Sequence, residues 1–174
     1  MNPQIKLNRG RRQAGAAVIE FAFVLPIFVL ILYGMVTFGS VLYTQMALSR
    51  AASDGARALG LASGSTTSYA SITESVKDSI KLEVVNSLSS SIIAPAGIGD
   101  YAARRTWLEQ TVLPTVVVDN GSCGGGEASA GLLRVRVSYP YSSARILPSI
   151  TLPIVGGFDS WMPQTLSGCA IVQL

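Results

Sequence analysis

The residue that most demands a chemical explanation is Glu20. It heads an apolar run shortly after Gly15, and no charged residue follows it from Phe21 to Ser49. An ionised carboxylate deep in hydrocarbon costs at least about 2.5–3.5 kcal/mol on insertion scales, and less near the interface. Glu20 is therefore either a tolerated surface group at the edge of a membrane or one half of an ion pair. Were the backbone cut after Gly15, the new amine of Ala16 would lie one helical turn from Glu20. One subunit's amine would then meet a neighbour's carboxylate. Such a pair would neutralise itself and set the axial register between packed helices, the role for which buried pairs are best attested.

Other chemistry is sparse. The 174 residues contain no histidine, which excludes Ser-His-Asp and Cys-His nucleophiles and any His-ligated metal. No group of carboxylates suggests a catalytic pair, and Gly124–Gly126 lacks the Lys-Ser/Thr of a phosphate-binding loop. The expectation is a non-enzymatic chain with no cofactor and no metal. Cys123 and Cys169 both fall late in the sequence. In an oxidising compartment two such cysteines commonly pair, and closing a loop of that length stabilises a domain by roughly 3–4 kcal/mol. Arg104 and Arg105 read as a solvated surface pair, and Trp107 and Trp161 as core residues.

The elements that must position Glu20 come from the apolar run itself. Phe21–Phe38 is almost wholly apolar, and the uncharged stretch continues to Ser49. As a helix that stretch spans roughly 43 Å, more than the roughly 30 Å hydrocarbon core of a bilayer. Lys6, Arg9, Arg11 and Arg12 precede it without any acidic neighbour. Positive charge stays cytoplasmic, so the N-terminus is expected inside and the remainder exported. Setting those four aside, 9 of the 13 basic residues face 10 acidic ones. A nucleic-acid-binding surface would need a basic excess, so membrane lipid is an expected partner and nucleic acid is not.

Beyond Thr44 the chain stays rich in Ala and Leu, so a single helix is expected from about Ala16 to about Leu59, with Pro26 as a possible kink. Ala47, Ala51 and Gly55 recur every four residues and form a smooth stripe that permits close helix packing, in a membrane or in a bundle. Residues 63–68 read as a polar loop. Ser71 and Glu74 read as a capping box opening an amphipathic helix with Ile72, Val76, Ile80, Val84 and Leu88 on one face. A helical turn is expected at Tyr101–Gln110, followed by a short β-branched run at Thr115–Val118. Leu132–Tyr139 alternates in polarity as a half-buried antiparallel strand does, and Thr165–Gln173 reads as a third strand carrying Cys169.

These residues resemble a known family. A basic leader, a glycine, and a glutamate five residues on within an apolar helix is the processing pattern of type IV prepilins. The segment from Gly15 to Ala58 is similar to the TadE-like pseudopilins of Tad (tight adherence) pilus systems, on Gly15, Glu20, Phe21, Pro26, Gly34, Gly39, Ala51, Ala52, Gly55, Ala56 and Arg57. The resemblance implies a cytoplasmic leader over 1–15, a long helix over 16–60 that spans the membrane in its first half, and a small pilin-like exported α+β domain over 61–174 with a second helix and a short antiparallel sheet. It implies cleavage between Gly15 and Ala16 by a prepilin peptidase that recognises Glu20 and Phe21. It further implies, as partners, other pilins and the Tad inner-membrane assembly proteins. Phe21 replaces the tyrosine of the major pilins, pointing to a minor component, and Thr37 departs from the acidic residue often found before the second helix glycine. The implied role is in pilus initiation, assembly or tip, and hence in adhesion and biofilm formation. The rival is an unprocessed envelope protein, anchored by the same helix and binding a partner through its exported domain.

Overall fold

The computed structural model describes residues 10–63, 72–124, 131–147, 151–152, 156–157 and 162–173. Among the described residues, three α-helices and five strands follow in chain order: α1 (Gly10–Ser63), α2 (Glu74–Ser89), α3 (Tyr101–Thr111), β1 (Val117–Asn120), β2 (Leu132–Tyr139), β3 (Thr151–Leu152), β4 (Gly156–Gly157) and β5 (Leu166–Gln173). The fold is the mixed α+β arrangement that the pattern implies, and among the described residues one helix is long and apolar enough to cross a membrane. The chain divides into two compact units, Met1–Gly39 and Ser40–Leu174.

The first unit contains the apolar part of α1. Pro26 lies inside the helix without ending it. The Thr37 hydroxyl donates to the carbonyls of Tyr33 (2.8 Å) and Gly34 (3.0 Å), so its polar atom is satisfied by its own helix.

The second unit is built on β2. Sheet order is β1-β2-β5, antiparallel throughout, with Val118 opposite Val135 and Arg136 opposite Cys169. Leu133, Val135, Val137 and Tyr139 are buried while the intervening residues are half-exposed, as strict alternation requires. Onto that face pack Leu48, Ala51, Ala52, Ala56 and Leu59 of α1 and Ile80, Val84, Val85 and Leu88 of α2. Burial pushes the Tyr139 phenol well above its ordinary pKa, and its hydroxyl donates to Ala144 O at 2.7 Å. β3 and β4 form a separate two-stranded ladder.

Several local expectations need correction. The polar loop at 63–68 and Ser71 lie almost wholly outside the described residues, but α2 begins at Glu74 with Thr73 as an uncapped N-cap. Glu74 is thus the first helical residue and not the third, so it cannot complete a capping box. It binds Lys77 instead, at 2.6 Å. The expected turn at Tyr101 is a full helix, because the Asp100 side chain accepts the Ala102 and Ala103 N–H groups. The β-branched run shifts to Val117–Asn120, since Leu113–Thr115 is a 3-10 turn with Pro114 inside it. Arg105 is a surface residue paired with Glu109, but Arg104 is half-buried and donates to Ser91 O (2.8 Å) and Gly99 O (3.3 Å). Trp107 is partly buried, its ring edge-to-face with Tyr139 at 5.7 Å, and Trp161 lies outside the described residues.

Candidate assembly site

From Gly15 to Leu32 every residue of α1 is exposed. Phe23 stands 75% exposed, and Phe21, Ile27 and Phe28 are each more than half exposed. A helix that is apolar all round cannot be a finished surface in water; its partners are lipid or other apolar helices. Glu20 is the single carboxylate in this stretch. Among the described residues it makes no hydrogen bond and no ion pair. Gly15 lies within the helix, which passes through it without a break, and a Cβ there would meet nothing within 4 Å. The same holds for Gly34 and Gly39. Lys6 and Arg9 fall outside the described residues; Arg11 and Arg12 lie in the first turn of α1.

The small-residue stripe has a different setting. Ala47 is partly buried, and Ala51 and Gly55 are buried. A Cβ on Gly55 would stand 2.6 Å from Val84 Cγ2 and 3.2 Å from Val135 Cγ1. The stripe therefore admits this chain's own α2 and β2 close to α1, within the second unit. Glycine is needed at Gly55 because the neighbouring valines occupy the space of its side chain.

Cys123 and Cys169 form a disulfide, with Cα atoms 5.8 Å apart. The bond ties the segment after β1 to the terminal strand. A second fastening lies beside it: Arg134 donates from Nε to Asp119 Oδ1 (2.7 Å), pairs with Asp119 Oδ2, and donates to Ser122 O (3.0 Å). The Asp119 hydrogen bond raises the Arg134 pKa still further above its ordinary value.

Three positions escaped sequence reasoning. A Cβ on Gly168 would fall 2.3 Å from Leu48 O, so β5 touches the backbone of α1. Ser40 Oγ shares a hydrogen bond with Tyr141 Oη at 2.8 Å, and Gln45 Nε2 donates to Ser167 O at 2.8 Å. A glycine within a strand does signal close backbone approach, but its partner cannot be read from spacing.

Residues 15–57 match the model of the TadE-like protein family. The match begins at Gly15 and ends on Arg57, covering the exposed apolar stretch and the whole small-residue stripe. No curated protein and no solved structure gives a significant match.

Proposed function

On the premise of that TadE-like helix, we propose that the chain is a minor pilin or pseudopilin of a Tad-type pilus. It acts structurally and catalyses nothing. The observation that carries the reading is the coincidence of the matched segment with the exposed apolar stretch of α1 that contains Gly15, Ala16 and Glu20.

In this reading the basic arm keeps the N-terminus cytoplasmic, the helix crosses the inner membrane once, and the second unit is periplasmic. A prepilin peptidase cuts between Gly15 and Ala16, recognising Glu20 and Phe21. Removal of the leader deletes the cations of Lys6, Arg9, Arg11 and Arg12 and leaves one amine a helical turn from Glu20. Apolar helix faces pack on one another almost equally well at several axial offsets, so dispersion alone does not fix the register between neighbours. An ion pair from amine to neighbouring carboxylate does, because any other register buries both charges unpaired. The subunit then contributes to pilus initiation, assembly or the tip, with adhesion and biofilm formation as the consequence.

The test is the N-terminus and intact mass of the protein from native membranes. A chain starting at Ala16 supports processing and the pilus assignment. A chain starting at Met1 leaves the unprocessed anchor as the better reading.

A further inference from the structure

Within the second unit, α1 follows the edge of the three-stranded sheet. A Cβ on Gly168 would meet Leu48 O, and one on Gly60 would stand 3.2 Å from Val172 Cγ2, so helix and β5 run in the same direction. Between them lies a groove of about 250 Å³, lined by Ser53, Ala56 and Arg57 of α1 and Ala170, Ile171 and Val172 of β5.

The backbone of β5 is open to that groove. In an antiparallel ladder alternate residues bond the neighbouring strand, and the others turn their N–H and C=O away from it. The Thr115 hydroxyl, just before β1, donates to Ser138 O and accepts the Ser138 N–H, so Ser138 of β2 turns towards β1. Tyr139, Val137, Val135 and Leu133 then turn towards β5 and bond Leu166, Gly168, Ala170 and Val172. Ser167, Cys169 and Ile171 are left facing outward. The Gln45 side chain agrees with that phase, since it donates to Ser167 O. Among the described residues the outward backbone groups of Cys169 and Ile171 bond nothing.

This edge also lacks the devices that shield one. Exposed edges are ordinarily blunted by charge, proline or a bulge. Leu166–Gln173 holds no charged residue and no proline, and its register with β2 runs without a skip. On the helix side stands one cation. Arg57 is exposed and makes no ion pair among the described residues, while Asp54, three residues before it, accepts the Ser87 hydroxyl at 2.6 Å. Leu61, one turn beyond Arg57 and 85% exposed, extends the helix wall with apolar surface.

We propose that this groove binds an extended acidic segment of a partner protein, which adds a fourth strand at β5 and sets a carboxylate against Arg57. In strand addition, backbone bonds supply the affinity and flanking side chains the selectivity. Charge decides the occupant. A second copy could offer its own β5 or β1, but β5 carries no carboxylate and Asp119 of β1 is already held by Arg134. Either would leave Arg57 unmatched. Nothing in this docking depends on leader removal or on what surrounds the first stretch of α1.

The test uses the full chain in detergent, isotope-labelled and with its disulfide intact. The probe is a synthetic octapeptide that alternates valine with threonine around one central glutamate. Binding should saturate, and at nine-tenths occupancy it should slow hydrogen exchange about tenfold at the Cys169 and Ile171 N–H groups but not at Ala170 and Val172. Ile171→Pro removes an outward N–H, which an edge strand tolerates, so it should abolish binding and leave the thermal melt near that of the parent. Should that variant fail to fold, N-methylation of the peptide decides instead. Methyl groups on the amides that face β5 should abolish binding, and on the alternate amides they should not. Arg57→Gln, or glutamine for the peptide's glutamate, should each weaken binding by up to about fivefold, and both together by no more than either alone. No saturable binding, or binding indifferent to which amides are methylated, overturns strand addition. Equal affinity when lysine replaces the glutamate overturns the acidic partner. Self-association of the chain that Ile171→Pro abolishes and the peptide does not displace assigns the edge to a second copy, and defeats the proposal as well.

Discussion

From Gly15 to Gly39, α1 is apolar on nearly every side and buries almost nothing within the chain, whereas from Ser40 to Ser63 it turns a face of small residues into a packed core. The two stretches are one helix with similar helix formers, yet their glycines mean different things. Gly34 and Gly39 have open space where a Cβ would be, and Gly55 has Val84 at 2.6 Å. The first stretch therefore has its partners outside the chain and the second has them inside it. Stability of the second unit should respond to changes in the second stretch and its contacts, and assembly to changes in the first.

Gly168→Val should break this division most severely. Its Cβ would enter the Leu48 carbonyl, and backbone cannot rotate aside as a side chain can. We expect loss of cooperative folding, a cost above about 4 kcal/mol, read as a missing transition when the detergent-solubilised chain is melted. A normal melt would mean that β5 does not lean on α1. Replacing both Cys123 and Cys169 by serine comes next. With a sequence separation of 46, the entropy of loop closure predicts a loss of about 4 kcal/mol in denaturant titration. Equal stability of the oxidised and serine forms would place the fastening of the terminal strand wholly on Arg134, Asp119 and the sheet ladder.

How much of this was legible beforehand varies with the range of the interaction. β2 was readable to its bounds, because Leu133 to Tyr139 alternate and period two has no competitor over eight residues. The long helix was readable from composition, whereas the implied export made Cys123 and Cys169 candidates for a bond that only the structure closes. What escaped depends on one residue meeting a distant one. Nothing in the local sequence joins Gly168 to Leu48, Gln45 to Ser167 or Arg104 to Ser91, since each contact exists only after the elements have packed. The stripe of Ala47, Ala51 and Gly55 lies between these cases. Its smoothness was visible, but its partners, this chain's own Val84 and Val135, were not. For Glu20 the sequence and the structure report the same facts, an exposed carboxylate and no partner, because its proposed partner belongs to another molecule.

A paired substitution sharpens the contrast within α1. Gly55→Ala puts a methyl group against two β-branched side chains with little rotamer freedom, at an expected cost of about 1–3 kcal/mol. Gly39→Ala meets nothing within 4 Å and trades glycine for the best helix former, so the melt should be unchanged or slightly raised. If both substitutions destabilise equally, the boundary between externally and internally partnered stretches has been drawn in the wrong place.

Glu20→Gln should disturb the folded unit least. The side chain keeps its size, and in this structure it touches no partner whose loss would be felt, so the melting transition should move by less than about 0.5 kcal/mol. Its effect should appear only where a second subunit is present. Glutamine cannot neutralise the Ala16 amine that leader removal exposes, so a packed neighbour would hold an unpaired cation in an apolar setting. We therefore expect the leader still to be removed, the monomer to stay in the membrane, and recovery of the chain from sheared filaments or assembly complexes to fall sharply. Normal recovery would defeat the register pair while leaving the membrane span intact. Loss of leader removal alone would instead assign Glu20 to recognition by the peptidase, and so separate the two roles that a single exposed carboxylate has been given.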